Sequence, residues 1–300
     1  MLTMPPVVSV IIVTFNANKT LQSAIESITE QRYPHKEIIV IDGGSRDGTV
    51  ETISAFNNKI SYRISEPDRG IYDAMNKGIK AATGEWLFFL GSDDRLSPGI
   101  LESIFGTDTY SGIDFLYGKI NLDGTTRTAG KETNFEEMIE YNIPHQAIFY
   151  NKSIFRKFGG YDLTYKILAD YDLNLKIFET PEFNKKFLDK EFSIFNSRGV
   201  SNRTIDVAFF SNRLTYFINE VGLLKTDKRL GKYYFFVGVA EVLRKKYFKG
   251  AVNMMHPVLY GGRRFYYFMV GCNVLLTFIG IGRKFKYVEV PTSEELHDMN

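Results

Sequence analysis

Apolar residues cluster along this chain in short unbroken runs rather than in alternation. Val8-Ser9-Val10-Ile11-Ile12-Val13 and Glu37-Ile38-Ile39-Val40-Ile41 are β-branched runs without a polar face, the pattern of strands covered on both sides. Between them, Thr20 to Gln31 places Leu21, Ile25 and Ile28 at helical spacing, with Asn18 or Thr20 as the expected cap. The second run ends in Asp42-Gly43-Gly44-Ser45-Arg46-Asp47-Gly48-Thr49, a Gly-rich turn that leads into a second helix through about Phe56. This β-α-β-α order predicts an α/β sandwich with right-handed crossovers and a ligand crevice at the carboxyl ends of the strands.

A third apolar run, Trp86 to Leu90, leads directly into Gly91-Ser92-Asp93-Asp94. Two adjacent carboxylates at a strand's carboxyl end repel one another unless a cation joins them. Hard oxygen ligands suit magnesium or manganese, which usually share their shell with substrate phosphates. On spacing alone the pair is also compatible with a solvated turn before Pro98, because Asp and Ser are ordinary turn formers. Asp42 has the same ambiguity: its carboxylate can accept hydrogen bonds from a nucleotide or from its own turn.

Composition narrows the classes. Three hundred residues with 44% hydrophobic content bury one large core or a catalytic domain with an appendage, which argues against disorder and nucleic-acid binding. Cys272 is the single cysteine, so neither an intrachain disulfide nor a cysteine-based zinc site is expected, in keeping with a reducing compartment. The stretch before Val7 lacks the basic start of a signal peptide, so a cytoplasmic protein is expected. Neither Gly-x-x-x-x-Gly-Lys-Ser/Thr nor Gly-x-Gly-x-x-Gly after the first strand is present, which removes ordinary ATPases and dinucleotide oxidoreductases.

The net charge of +2 conceals a division. Residues 1–205 hold 23 basic against 27 acidic residues, whereas residues 206–300 hold 14 against 8. Arg198-Gly199-Val200-Ser201-Asn202-Arg203 reads as the loop between a domain over 1–205 and an extension over 206–300. Within the extension, Phe265 to Gly282 is an 18-residue, mostly apolar window between basic pairs. It is weaker than the about 20 strongly apolar residues of a spanning helix. The flanking charges and aromatic runs suit peripheral contact with an anionic inner-membrane leaflet, and a core or oligomer-interface helix is the alternative.

Together, Ser9-Val10-Ile11-Ile12-Val13-Thr14-Phe15-Asn16, Ile41 to Thr49, and the block from Glu66 to Asp94 resemble the inverting family 2 glycosyltransferases with the GT-A fold, over roughly residues 7–205. Asp68-Arg69-Gly70-Ile71-Tyr72-Asp73-Ala74-Met75-Asn76-Lys77-Gly78 is similar to the branch that builds bacterial capsule, exopolysaccharide and O-antigen repeat units. The resemblance implies a Rossmann-like nucleotide-binding α/β sandwich of GT-A type with a mainly helical C-terminal extension. It implies that Thr14, Asn16 and Asp42 hold the nucleotide, and that Arg69, Asp73 and Asp93 face the ribose, diphosphate and sugar of a nucleotide-sugar donor, with a UDP-sugar expected. Mn2+ or Mg2+ would sit on Asp93 and Asp94, although Gly91 replaces the first acid of the family's Asp-x-Asp-Asp pattern.

Further along, Asn142 to Tyr150 and Gly159-Gly160-Tyr161-Asp162 precede Ala169-Asp170-Tyr171-Asp172. By the same resemblance Asp170 is the catalytic base, with Ala169 in place of a preceding acid, and His145 and Gln146 line the acceptor or sugar site. Asp172, two positions on, points away from Asp170 on a helix and is expected in a cap or salt bridge. The chemistry requires these groups: a carboxylate takes the acceptor hydroxyl's proton as the glycosidic bond forms, and a cation offsets charge on the departing diphosphate. The implied acceptor is a saccharide or a polyprenyl-linked saccharide at the cytoplasmic face of the inner membrane. Two other functions stay open, a sugar-1-phosphate nucleotidyltransferase, whose Gly-rich triphosphate loop is missing from residues 9–16, and a non-catalytic sugar-nucleotide-binding or assembly subunit, suggested by Gly91.

Overall fold

A computed structural model describes residues 5–106, 110–122, 124–196, 204–260 and 286–288. The chain divides into two compact units, Met1–Leu163 with Ala169–Gly199, and Thr164–Leu168 with Val200–Asn300.

The first unit is built on a mixed sheet. β1 (Val8–Thr14) and β2 (Lys36–Asp42) pair in parallel, joined by α1 (Leu21–Thr29), as their uniformly apolar runs predict. β3 (Tyr62–Ser65) extends the sheet beyond β2 after α2 (Thr49–Ala55), and β4 (Trp86–Gly91) lies on the other flank of β1 after α3 (Ile71–Ala81). The order β3-β2-β1-β4 therefore reverses direction at β1, which opens a crevice beyond the carboxyl ends of β1 and β4.

Next to β4 the sheet turns antiparallel. β8 (Ile148–Asn151) pairs with β4 and with β6 (Phe115–Leu122), and β9 (Lys185–Phe195) runs parallel to β6 with a register shift between Tyr117 and Ile120. The short β5 (Arg95–Leu96) and β7 (Thr128–Ala129) close onto β9 and β6. α4 (Ile100–Phe105), α5 (Phe135–Met138), α6 (Lys152–Phe158) and α7 (Ala169–Glu179) complete the unit.

Val10, Ile12, Val40, Phe88 and Leu90 form the centre of a buried cluster with Leu21, Ile25 and Ile28 of α1, so the face predicted from helical spacing is the one that packs. The expected cap of α1 differs. Thr20 occupies the cap position without a side-chain cap bond, and Asn18 instead accepts from the Thr52 hydroxyl at 2.7 Å, tying the β1–α1 loop to α2.

In the second unit, β10 (Thr204–Asp206) pairs in parallel with β11 (Lys286–Val288), and α8 (Val207–Asn219), α9 (Gly231–Leu243) and α10 (Tyr247–Leu259) follow β10. Asp206 caps α8 through Phe209 N and also accepts from Ile167 N at 2.9 Å and Leu168 N at 3.3 Å, fastening the 164–168 segment to this unit. Phe209, Phe210 and Phe217 surround Tyr233. Among the described residues no helix is long and apolar enough to cross a membrane, and the Phe265 to Gly282 window lies outside them.

Candidate active site

The parallel register aligns Thr14 with Asp42 and Val13 with Gly91, so the loops after β1, β2 and β4 leave the sheet along one edge. Asp42 is fully buried there, and its carboxylate is occupied by its surroundings. Oδ2 accepts from Gly44 N at 3.2 Å, Ser45 N at 3.0 Å and the Ser65 hydroxyl at 2.6 Å, while Oδ1 accepts from the Ser45 hydroxyl at 2.5 Å. In this arrangement Asp42 shapes the 43–45 turn through Gly44 and Ser45 and ties it to β3 through Ser65.

Asn16 stands beside the same turn in a left-handed conformation, φ 50°. Its backbone N–H donates to Ser45 Oγ at 2.7 Å and its Oδ1 accepts from Arg46 N at 3.0 Å. The Phe15 ring is 63% exposed. Thr14 Oγ1 is buried without a hydrogen-bond partner, an unmet donor and acceptor at the end of β1. The loop that should hold a nucleotide thus contains an exposed ring and a buried hydroxyl with unused capacity.

Before and within the first turn of α3, Arg69 and Asp73 contact one another: Asp73 accepts from Arg69 N at 3.1 Å and lies 3.4 Å from the guanidinium. The carboxylate also suits the helix amino end. Lys77 pairs with Glu66 at 2.8 Å and donates to Pro67 O at 3.1 Å, bracing the segment that leads into the helix. The Arg69 side chain remains mostly in solvent while paired with Asp73.

At the end of β4, Asp93 is exposed and has no hydrogen bond or ion pair among the described residues, whereas Asp94 is 2% exposed. Asp94 accepts from Gln146 Nε2 at 3.0 Å and Asn196 N at 2.8 Å. Burial pushes its carboxyl above the ordinary carboxylate range and the Asp93 charge adds to this, against the bonds from Asn196 and Gln146. Gly91 lies directly before them: a Cβ there would sit 2.7 Å from Asp94 Oδ2 and 3.1 Å from Asp93 Oδ1. A side chain at 91 would therefore project toward both carboxylates, and glycine leaves that space open.

Asp170, in the first turn of α7, is 6% exposed. Its Oδ1 accepts from the Tyr72 hydroxyl at 2.8 Å and from Tyr171 N at 2.8 Å. Its Oδ2 has two longer neighbours, Asn142 Nδ2 at 3.3 Å and His145 Nδ1 at 3.3 Å, the latter a donor when Nδ1 carries the proton. Asn142 is held in turn by Asn174 Nδ2 at 3.0 Å. Asp172 pairs with Lys176 at 2.8 Å, the salt bridge expected from its place on the helix.

His145 and Gln146 open a single 3-10 turn, so consecutive side chains reach Asp170 and Asp94 respectively. Two regions far apart in sequence, the β4 loop and the start of α7, are joined through one short segment. Tyr72 and Asn142 complete the network. Both lie inside the segments that suggested function, yet only their long-range partners reveal their roles, since Tyr72 and Asp170 are 98 positions apart.

A divalent cation fits this donor set. Two adjacent carboxylates, one buried and pushed toward protonation and one without a partner, gain from a positive charge between them. No group of three or more metal-ligating side chains occurs among the described residues, so the fit is to an ion that fills its shell with water and ligand phosphate oxygens.

Known proteins resemble this chain over most of its length. The family profile described as Glycosyl transferase family 2 matches residues 9–172, from β1 through Asp170. A "PGL/p-HBAD biosynthesis glycosyltransferase" of Mycobacterium bovis is 32% identical over 219 residues, 68% of this chain and 82% of the relative. An "uncharacterized glycosyltransferase" of Mycobacterium tuberculosis is 38% identical over 192 residues, 58% of this chain and 70% of the relative. Among solved structures, S. aureus TarS 1–349 in complex with UDP-GlcNAc superposes with a TM-score of 0.66 at 16% identity, covering 96% of this chain and 97% of that one. The mannosyltransferase PcManGT of Pyrobaculum calidifontis, in complex with GDP-Man and Mn2+, gives 0.55 at 15% identity, covering 92% and 81%. The chain belongs to glycosyl transferase family 2 and its fold is of the GT-A type.

Proposed function

We propose that this family 2 glycosyltransferase is an inverting, metal-assisted enzyme that moves a hexosyl or N-acetylhexosaminyl unit from a UDP-sugar to a hydroxyl of a saccharide or polyprenyl-linked saccharide in bacterial surface polysaccharide synthesis. The observation that carries the reading is the His145–Gln146 turn, whose neighbouring side chains bond Asp170 and Asp94 and so bring a base and a cation-binding loop together. The UDP-GlcNAc complex of TarS supports a UDP-sugar donor, and the PcManGT complex with Mn2+ supports a divalent ion.

In this reading the nucleotide lies over the Thr14–Asn16 and Asp42–Ser45 loops, with Phe15 offering a face to the base and Arg69 a charge to the diphosphate. Asp93 and Asp94 would hold Mn2+ or Mg2+, which when bound would offset the charge of the departing diphosphate. Asp170 receives the acceptor proton. Its Oδ2, whose two neighbours stand at 3.3 Å, is the less engaged oxygen and the one open to an acceptor hydroxyl. Tyr72 fixes Oδ1, so the carboxylate presents one oxygen in a set direction. The acceptor oxygen bonds to the anomeric carbon as the bond to the phosphate oxygen breaks, with inversion, because a single displacement has no covalent intermediate.

The test is transfer itself. With a panel of sugar nucleotides, manganese and saccharide acceptors, NMR of the product should show the anomeric configuration opposite to that of the donor. Retained configuration contradicts the single displacement. Donor binding without transfer to any acceptor would instead favour a non-catalytic sugar-nucleotide-binding subunit.

A further inference from the structure

α10 has two apolar faces. One is seated within its own unit: Gly250, Met254, His256 and Pro257 are buried, and the His256 ring stacks on Tyr234 of α9 with centroids 4.0 Å apart. α9 and α10 meet at paired glycines, since a Cβ on Gly238 would lie 2.8 Å from Gly250 O and 2.7 Å from Met254 Cγ. This close approach fixes which side of α10 faces inward.

The outward side carries Phe248, Val252, Met255 and Leu259, at positions i, i+4, i+7 and i+11 of one helical stripe, exposed by 85%, 55%, 45% and 56%. Tyr247 and Tyr260 stand exposed at its two ends. Six of the twelve large hydrophobic residues that are exposed among the described residues fall in this one stretch, so the ridge is a concentrated feature rather than scattered surface apolarity. Arg244, Lys245, Lys246 and Lys249 are all exposed around the start of the helix. Among the described residues Glu241 is the one acid paired with them, to Lys246 at 3.7 Å and Lys249 at 3.4 Å, which leaves a local excess of three positive charges.

We propose that the outer face of α10 docks on an anionic lipid bilayer. An apolar stripe flanked by exposed cations and terminal tyrosines is the pattern of a helix lying in the headgroup layer, where the chain's aromatic and aliphatic groups enter the acyl boundary and its cations meet lipid phosphates. A symmetric pairing of two copies through this face brings like charges together, because a two-fold interface presents the same patch twice. The inference goes beyond the transfer chemistry and does not depend on it.

The full-length protein should sediment with vesicles of phosphatidylglycerol and phosphatidylcholine mixed in equal parts, less so at high salt, and poorly with phosphatidylcholine alone. Phe248→Glu with Val252→Glu should lower vesicle partitioning at least ~10-fold, given the transfer cost of a buried apolar side chain. Arg244→Gln and Lys245→Gln should each lower it about fivefold. These positions are exposed, so the melting temperature and sugar-nucleotide binding should stay at wild-type values. No sedimentation with anionic vesicles at low salt overturns the proposal. So does sedimentation that these variants leave unchanged, which places the contact elsewhere on the chain, or light scattering that finds a wild-type dimer dissociated by Phe248→Glu, which makes a second copy the occupant.

Discussion

The two edges of the parallel strands both carry carboxylates, Glu37 half-buried at one and Asp94 buried at the other, and they use them differently. At the amino edge, Glu37 accepts from the Ser9 hydroxyl at 2.5 Å, Thr83 N at 2.7 Å, the Thr83 hydroxyl at 2.8 Å and Gly84 N at 3.1 Å, binding the starts of β1 and β2 to the approach to β4. Burial pushes Glu37 upward, but the bonds from Ser9, Thr83 and Gly84 outweigh it and hold the carboxyl below its usual range. At the carboxyl edge, burial and the Asp93 charge prevail over the donors to Asp94 and push it up. Donors in excess make a carboxylate a structural clasp. Donors in deficit beside a second charge leave an electrostatic demand that a cation would meet, and the proposed function places the nucleotide-sugar donor and its cation at that edge for this reason.

Substitution at each edge should therefore affect different observables. The largest effect is expected from Asp170→Asn, which removes the proposed base while keeping its shape: transfer should fall by at least ~100-fold with donor affinity and melting temperature retained. Near-normal turnover in that variant would remove Asp170 from the chemistry and leave the carboxyl-edge network without its catalytic end. Glu37→Ala should do the reverse. It leaves strand-edge donors unmet and should cost about 1–3 kcal/mol of stability with turnover per folded molecule unchanged.

The Glu37 effect also has a pH signature. Because its folded pKa is depressed, its contribution is present above the unfolded carboxylate value of about 4.3 and fades as pH falls through the lower folded value. The stability gap between wild type and Glu37→Ala should narrow in acid. A gap that widens there would mean that Glu37 is not held by donors as described.

The smallest effect is expected from Gln146→Leu. Losing this donor raises the Asp94 pKa further, so activity should fail at higher pH than in wild type, with the acid limb of the rate profile displaced upward. An unmoved limb with a uniformly lower rate would give Gln146 a packing role only.

How much of this was legible in the sequence depended on whether the signal was local. β1, β2 and β4 are covered on both faces, so their apolar runs are continuous and their ends mark where Asp42, Asp93 and Asp94 stand. β9, by contrast, has charged and exposed residues through Lys190 and Glu191, and its pairing with β6 joins Phe115 to Lys185 across most of a domain, which periodicity does not reveal. The same distinction holds in the site. Asp170, His145 and Gln146 follow from motif resemblance, whereas the clasp of Tyr72 on Asp170 and of Glu37 on Thr83 and Gly84 exists only after folding. Asp42 was legible as a loop carboxylate, but its burial beneath Ser45 and Ser65 was not, because Ser65 arrives from β3, 23 positions later.

The most direct test of the central claim, that the carboxyl edge binds a sugar nucleotide through a cation on Asp93 and Asp94, is a thermal-shift titration with UDP-sugars in manganese and in excess chelator. A ligand held at about 100 times its dissociation constant stabilises the fold by about 2.7 kcal/mol, which is readily seen as a rise in melting temperature. That rise is expected for wild type and Asp170→Asn in manganese, and its loss in chelator or in the Asp93→Asn, Asp94→Asn double variant. An equal rise in chelator, or an undiminished rise in the double variant, would contradict it.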